Sequence, residues 1–167
     1  MSPKPRQEAH AMKTQPLETQ MVDVSNKPVS RHEAMARARV HLQPDTLKAI
    51  LAGEIPKGDV LTIAQMAGIQ GAKRCPEWIP LSHQVLLSGV EVSLIPDRSN
   101  HWIEIRALVR CTGQSGVEMD ALCAVSATAL TIVDMCKDLD QTIVISDICL
   151  LDLRGGRAGE TGRSANG

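Results

Sequence analysis

The stretch Cys111-Thr112-Gly113-Gln114-Ser115-Gly116-Val117-Glu118-Met119-Asp120 runs on through an apolar segment to Asp134-Met135-Cys136-Lys137, and its reading decides the architecture. The first part reads as a turn, because Gly113 and Gly116 can take backbone angles that other residues avoid. The second part reads as a helix. Leu122, Val125, Ala129, Ile132 and Cys136 recur at three- and four-residue steps, which aligns them on one buried stripe. At 1.5 Å per residue, Val117 to Lys137 spans about 30 Å, the width of a small domain. Charged residues stand at both ends of this apolar rod.

Working outward, Trp102, Glu104 and Arg106 alternate with Ile103, Ile105 and Ala107, and Val90, Val92 and Leu94 alternate with Glu91 and Ser93. Two such period-two runs around the Pro96–Asn100 turn predict a hairpin. Upstream, Ala38, Val40 and Leu42 predict a half-buried strand. Pro44-Asp45-Thr46 opens a short helix from Leu47 to Ala52, closed by Gly53. Asp59 caps a further helix whose apolar stripe is Val60, Ile63, Ala64, Ala67 and Gly71. Gly68 and Gly71 on that helix predict close approach of another backbone. Lys73 and Arg74 suit its negative end, and Pro76 stops it. Met21–Ser25 reads as a short extended segment. Ile143, Val144, Ile145, Ile148, Leu150 and Leu151 form a last strand. The order predicts an α+β sandwich of ferredoxin-like type, an antiparallel sheet with helices on one face.

The 167 residues fit one domain spanning residues 21–153, between a disordered leader over 1–20 and a flexible Gly-rich tail over 154–167. A net charge of −1 offers no electrostatic footprint for nucleic acid or membrane. Two Trp with no Phe or Tyr leave no base-stacking platform for single strands. Five cysteines without a C-x-x-C pair argue against a zinc ribbon and a disulfide framework. They read as reduced thiols of a soluble, cytoplasmic protein. No signal peptide is visible, and no run is expected to span a membrane.

Several residues carry both a structural and a chemical reading. Ser115 and Glu118 have capping-box spacing, and Asp120 suits the helix dipole. Asp134 and Lys137, three apart, form a surface ion pair or an acid–base pair; a partly desolvated lysine can fall toward a neutral pKa and move protons. His83, in an apolar loop, is a hydrogen-bonded structural residue or a proton shuttle. Lys57 before the Asp59 helix could serve an anion site. Arg154-Gly155-Gly156-Arg157 could grip phosphate or remain a solvated terminus. No Walker or dinucleotide-binding glycine motif is present.

Taken in order, Met21-Val22-Asp23-Val24-Ser25, Lys57-Gly58-Asp59-Val60, Ala67–Gln70, Ala72-Lys73-Arg74, Ile79-Pro80-Leu81-Ser82-His83, Thr112-Gly113, Gly116–Met119 and Asp134–Lys137 resemble the MoaC family, the cyclic pyranopterin monophosphate synthases of molybdenum cofactor biosynthesis. The match runs from about Met21 to Gly159. The resemblance implies conversion of 3′,8-cyclo-7,8-dihydro-GTP to cyclic pyranopterin monophosphate with release of pyrophosphate. It implies no metal or organic cofactor. It also implies a homo-hexamer, a trimer of dimers with the site at a dimer interface. Lys57, His83, Asp134 and Lys137 match catalytic positions, with Lys137 and Asp134 moving protons and Lys57 and His83 near the phosphates. Leu81, Ser82, His83, Glu118, Met119, Asp120, Lys73 and Arg157 fall at substrate-binding positions.

The chain departs from the family pattern at the loop, where Ser82 and Gln84 flank His83, and at Asp120, where a longer acid is usual. An arginine position falls on His32 beside Arg31, and a tail lysine position falls on Leu153. A one-methylene withdrawal moves a carboxylate by about 1 Å, which can cost about a hundredfold in rate. The departures leave a second reading open: a divergent relative that binds a nucleotide-like phosphate ligand, or assembles with a true synthase, without efficient turnover. Glu118 and Lys137 stand at opposite ends of the rod, about 28 Å apart. If one site uses both, they come from different subunits, and an isolated monomer is inactive.

Overall fold

A computed structural model describes residues 18–155 of the chain. The elements are β1 (Ser30–His41), α1 (Pro44–Ala52), α2 (Val60–Lys73), α3 (Cys75–Trp78), β2 (Leu87–Asp97), β3 (Trp102–Gly113), α4 (Glu118–Cys136) and β4 (Val144–Arg154). The four strands form one antiparallel sheet in the order β2-β3-β1-β4, with helices against one face. The fold is α+β and ferredoxin-like, as the sequence pattern requires.

Alternation decides which face is covered. In β1, Ala34, Ala36, Ala38 and Val40 are buried; in β3, Ile103, Ile105, Ala107, Val109 and Cys111 are buried. Small residues on β1 let α4 approach closely, and larger Ile and Val on β3 fill the space beside it. The opposite face carries a charged lattice, with Arg39 on Glu104 and Asp147, and Arg110 on Glu33 and Glu91.

α2 lies antiparallel on α4 through its glycines. A Cβ at Gly68 would stand 2.2 Å from Thr128 Oγ1 and 3.1 Å from the Ala124 carbonyl oxygen. One at Gly71 would stand 2.6 Å from Ala127 Cβ and 2.9 Å from the Cys123 carbonyl oxygen. The backbones therefore touch, as the small-residue face predicts. The antiparallel pairing places the start of α2 at the end of α4, and the end of α2 at the start of α4.

Several local expectations need correcting. The Ser115–Glu118 capping box does not form: Val117 is the N-cap of α4 and no side chain bonds the free N–H groups there. Glu118 is instead the first helical residue, and its carboxylate folds against Gly116. Met21–Val24 carries no helix or strand, as a short extended segment should, and Asp23 accepts from the Ser25 N–H and hydroxyl where the chain begins to turn. β3 extends through Cys111 to Gly113, because pairing with β1 continues to Ser30. α2 does end before Pro76, as expected, but Cys75–Trp78 then forms a short helix α3, with Pro76 in its first turn, where its missing N–H costs nothing. Ile63 is not in the buried stripe of α2 but 41% exposed. α4 is long and apolar enough to cross a membrane by length and composition alone, contrary to expectation; 61% of that window is buried inside the fold, as a core helix should be. β4 runs on to Arg154, and Arg157 lies outside the described residues.

Candidate active site

At the C-terminal end of α4, three of the expected residues meet. Lys57 sits in the α1–α2 loop, which is anchored by buried Ile55 and reversed at Gly58, where φ is +111°. Glycine tolerates this conformation. Asp59 then caps α2 by accepting from the Thr62 N–H at 3.1 Å. The result aims Lys57 across to α4. Its Nζ donates to the Asp134 carbonyl oxygen at 2.7 Å and lies 3.5 Å from Asp134 Oδ2. Lys137, the C-cap of α4, donates from Nζ to Asp134 Oδ1 at 2.6 Å. The Lys137 ammonium, with help from Lys57, holds the Asp134 carboxyl below the usual carboxylate range. Asp134 in turn pushes the Lys137 pKa up. A lysine falling toward neutral pKa by desolvation is therefore not what this subunit presents: the ammonium is half-exposed and paired.

The N-terminal end of α4 carries a different set. Met119 is exposed, and Glu118 is half-buried over Gly116. Asp120 is 3% exposed, and burial, assisted by the nearby Glu118 charge, pushes its carboxyl up to about 6. Beside it lie buried thiols. Cys75 and Cys123 interact, and burial raises both, Cys123 to about 12. Cys75 Sγ lies 3.6 Å from the Ser82 hydroxyl, which ties the Leu81-Ser82-His83 loop to this end of α4. Leu81 is 48% exposed, an apolar side chain free to meet a ligand.

His83 is fixed from the N-terminal segment: its Nε2–H donates to the Val22 carbonyl oxygen at 2.7 Å. Gln114 pins the same segment, donating from Nε2 to the carbonyl oxygens of Ser25 and Lys27, both at 3.0 Å. Asp23 lies close enough to His83 for their charges to interact, though the Ser25 hydroxyl is the larger cause of its lowered pKa. Gln114 and Asp23 were not singled out by the sequence reading. Their contacts join positions far apart in the chain, and no local pattern marks them.

Lys73 ends α2 and lines a groove of about 360 Å³ with Ile69, Val85, Leu86 and Leu87. His32 faces the helices beside β3, buried, with Nε2–H donating to the Gly113 carbonyl oxygen at 3.2 Å. Leu153 packs against the core. Among the described residues no group of three His, Cys, Asp or Glu could hold a metal ion.

The fold thus collects Lys57, Asp134 and Lys137 at one end of α4, and Glu118, Met119 and Asp120 with the Leu81–His83 loop tied to the other. α4 is 19 residues long, so about 28 Å separates the two clusters. One cluster has basic groups gathered round a carboxylate. The other has a carboxylate whose pKa burial pushes up to about 6, an apolar lining and an imidazole.

Relatives match this chain in sequence over most of their length. A cyclic pyranopterin monophosphate synthase of Chloroflexus aggregans is 56% identical over 140 residues, covering 84% of this chain and 85% of its own. The Chloroflexus aurantiacus synthase is 54% identical, covering 84% and 86%. That of Pelotomaculum thermopropionicum is 47% identical over 142 residues, covering 85% and 84%. The model of the MoaC family matches residues 21–156, which takes in both clusters and the whole sheet, and the chain belongs to that family.

Proposed function

We propose that this chain is a cyclic pyranopterin monophosphate synthase, a lyase of molybdenum cofactor biosynthesis. It takes 3′,8-cyclo-7,8-dihydro-GTP to cyclic pyranopterin monophosphate and pyrophosphate. The observation that carries this reading is the Lys57–Asp134–Lys137 cluster, assembled from a loop and a helix end whose sequences both resemble the family. Such chemistry needs proton transfers during ring opening and pterin closure. It also needs cations facing a triphosphate.

In this reading Asp134 keeps Lys137 protonated and oriented until substrate arrives. Loss of water around the pair on substrate binding then favours the neutral forms and shifts the proton from Lys137 to Asp134. Lys57 anchors Asp134 and faces the phosphates. Glu118, Met119 and Leu81 position the guanine-derived ring, Asp120 and Ser82 back them, and His83 donates toward the phosphates. Lys73 adds positive charge at the rim, and Arg157 binds substrate as its place in the family pattern implies. The residues assigned here require no cofactor.

Because the two clusters stand about 28 Å apart, we place one site between subunits, with Lys57, Asp134 and Lys137 from one and Glu118 and its neighbours from another. The assembly is a homo-hexamer built as a trimer of dimers, and the protein works in the cytoplasm. A single-turnover assay tests the chemistry. Lys137→Ala should lose nearly all product formation while substrate binding is largely kept; retained turnover overturns the assignment of Lys137.

A further inference from the structure

The segment from Met21 to Pro28 lies on the body of the subunit with little apolar burial to hold it. Met21 is 54% exposed and Val22 63%, and only Val24 is half-buried. A segment that buries so little keeps its place through hydrogen bonds. Some of these close the segment on itself. Asp23 accepts from the Ser25 N–H at 2.8 Å and its hydroxyl at 2.6 Å, and the Lys27 N–H donates to the Val24 carbonyl oxygen at 2.9 Å. Among the described residues, its hydrogen bonds to the body come from two side chains. His83 Nε2–H donates to the Val22 carbonyl oxygen, and Gln114 Nε2 donates to those of Ser25 and Lys27. Gln114 has a firm base. The adjacent Gly113 pairs with Ser30 and takes the His32 ring on its carbonyl oxygen, and Cys111 Sγ donates to the Ser115 carbonyl oxygen at 3.5 Å.

The bond to Val22 decides how His83 can meet a ligand. A carbonyl oxygen only accepts, so the proton on Nε2 is committed and Nδ1 is the nitrogen left over. Nδ1 donates when the ring is charged and accepts when it is neutral. The aim of the ring depends on where the Val22 carbonyl stands, and Gln114 grips the same segment farther along. We propose that Gln114 is a positioning residue for the reaction: by holding Ser25 and Lys27 it fixes the Val22 carbonyl, and through it the orientation of the His83 ring toward substrate. This rests on the part given to His83 above. Gln114 acts through His83 rather than on the substrate. The grip needs two N–H donors on one nitrogen. An amide supplies two and a lysine ammonium three. A glutamate of nearly the same shape supplies none, and sets a carboxylate against two carbonyl oxygens.

The test uses single-turnover rates and proton–nitrogen NMR on the full chain. Gln114 lies in a turn outside the buried core, so Gln114→Glu should melt close to the parent. Its turnover should fall at least about tenfold, within the scale set by a 1 Å misplacement. Gln114→Lys should keep most of the turnover. The His83 Nε2–H signal, sheltered in the parent and in Gln114→Lys, should exchange with water in Gln114→Glu. In a His83→Ala background, adding Gln114→Glu should cost little more, because the two side chains act as one unit. A full further loss in that background, an Nε2–H signal unchanged in Gln114→Glu, or equal losses in Gln114→Lys and Gln114→Glu overturns the positioning role. So does parent-level turnover in Gln114→Glu when His83→Ala is impaired, and the part of His83 then stands. Parent-level turnover in His83→Ala removes the part proposed for His83 itself, and the role of Gln114 falls with it.

Discussion

Asp134 accepts from two ammonium groups at once, and its titration therefore reports on both. With Asp134 replaced by Asn, the counter-charge that raises Lys137 is gone. The Lys137 pKa should fall back toward the ordinary lysine range, read by NMR of the Nζ group; an unmoved value would mean that Asp134 is not its controlling partner. Asp120 makes the opposite case. Its carboxyl titrates near 3.8 in the unfolded chain and near 6 in the fold. The folded protein therefore holds more protons between these values, and stability falls as pH rises through that window. The cost at neutral pH is up to about 3 kcal/mol. Asp120→Asn removes that slope, so calorimetry at pH 7.5 should show a higher melting temperature than the parent, with the gap closing near pH 4. A constant gap at all pH values would place the effect outside ionisation. The residue types of the site were legible in the sequence, because Lys57, Asp134 and Lys137 fall in family motifs. Spacing offered the exposed Asp134–Lys137 ion pair as one of two readings without choosing it, and it could not show that Asp120 is buried beside thiols.

At the level of elements, the α2–α4 contact is set by two glycines. Gly71→Ala gains about 1 kcal/mol in helix propensity. It also drives a methyl to 2.6 Å from Ala127 Cβ and 2.9 Å from a carbonyl oxygen, an overpacking that costs more, typically 1–3 kcal/mol. Since the contact is with backbone, relief requires the helices to part. Denaturant unfolding should show a net loss of about 1–2 kcal/mol; a stabilised variant would mean that α2 and α4 do not touch there. Period-two and three-to-four-residue patterns made every main element readable, including the close approach at Gly68 and Gly71. The ends were less readable. β1 and β3 run further than their apolar alternation, since backbone pairing from Ser30 to Gly113 continues past the last large side chain. The start of α4 misled because Ser115-x-x-Glu118 has the spacing of a capping box, yet the helix begins only at Glu118.

The whole molecule is organised by the length of α4. A helix of 19 residues separates a basic cluster from an acidic, apolar one. The sequence already shows this separation as a distance along one rod. Ile63 reads as core by periodicity, and only the fold reveals it as exposed. The account stands on a site shared between subunits, and co-assembly tests that most directly. Lys137→Ala and Glu118→Ala subunits, each inactive alone, are unfolded together and refolded in equal amounts. Random pairing across a two-fold leaves one intact site in each mixed pair, so turnover should return to about a quarter of the parent value. A mixture no more active than its separate components would contradict the shared site.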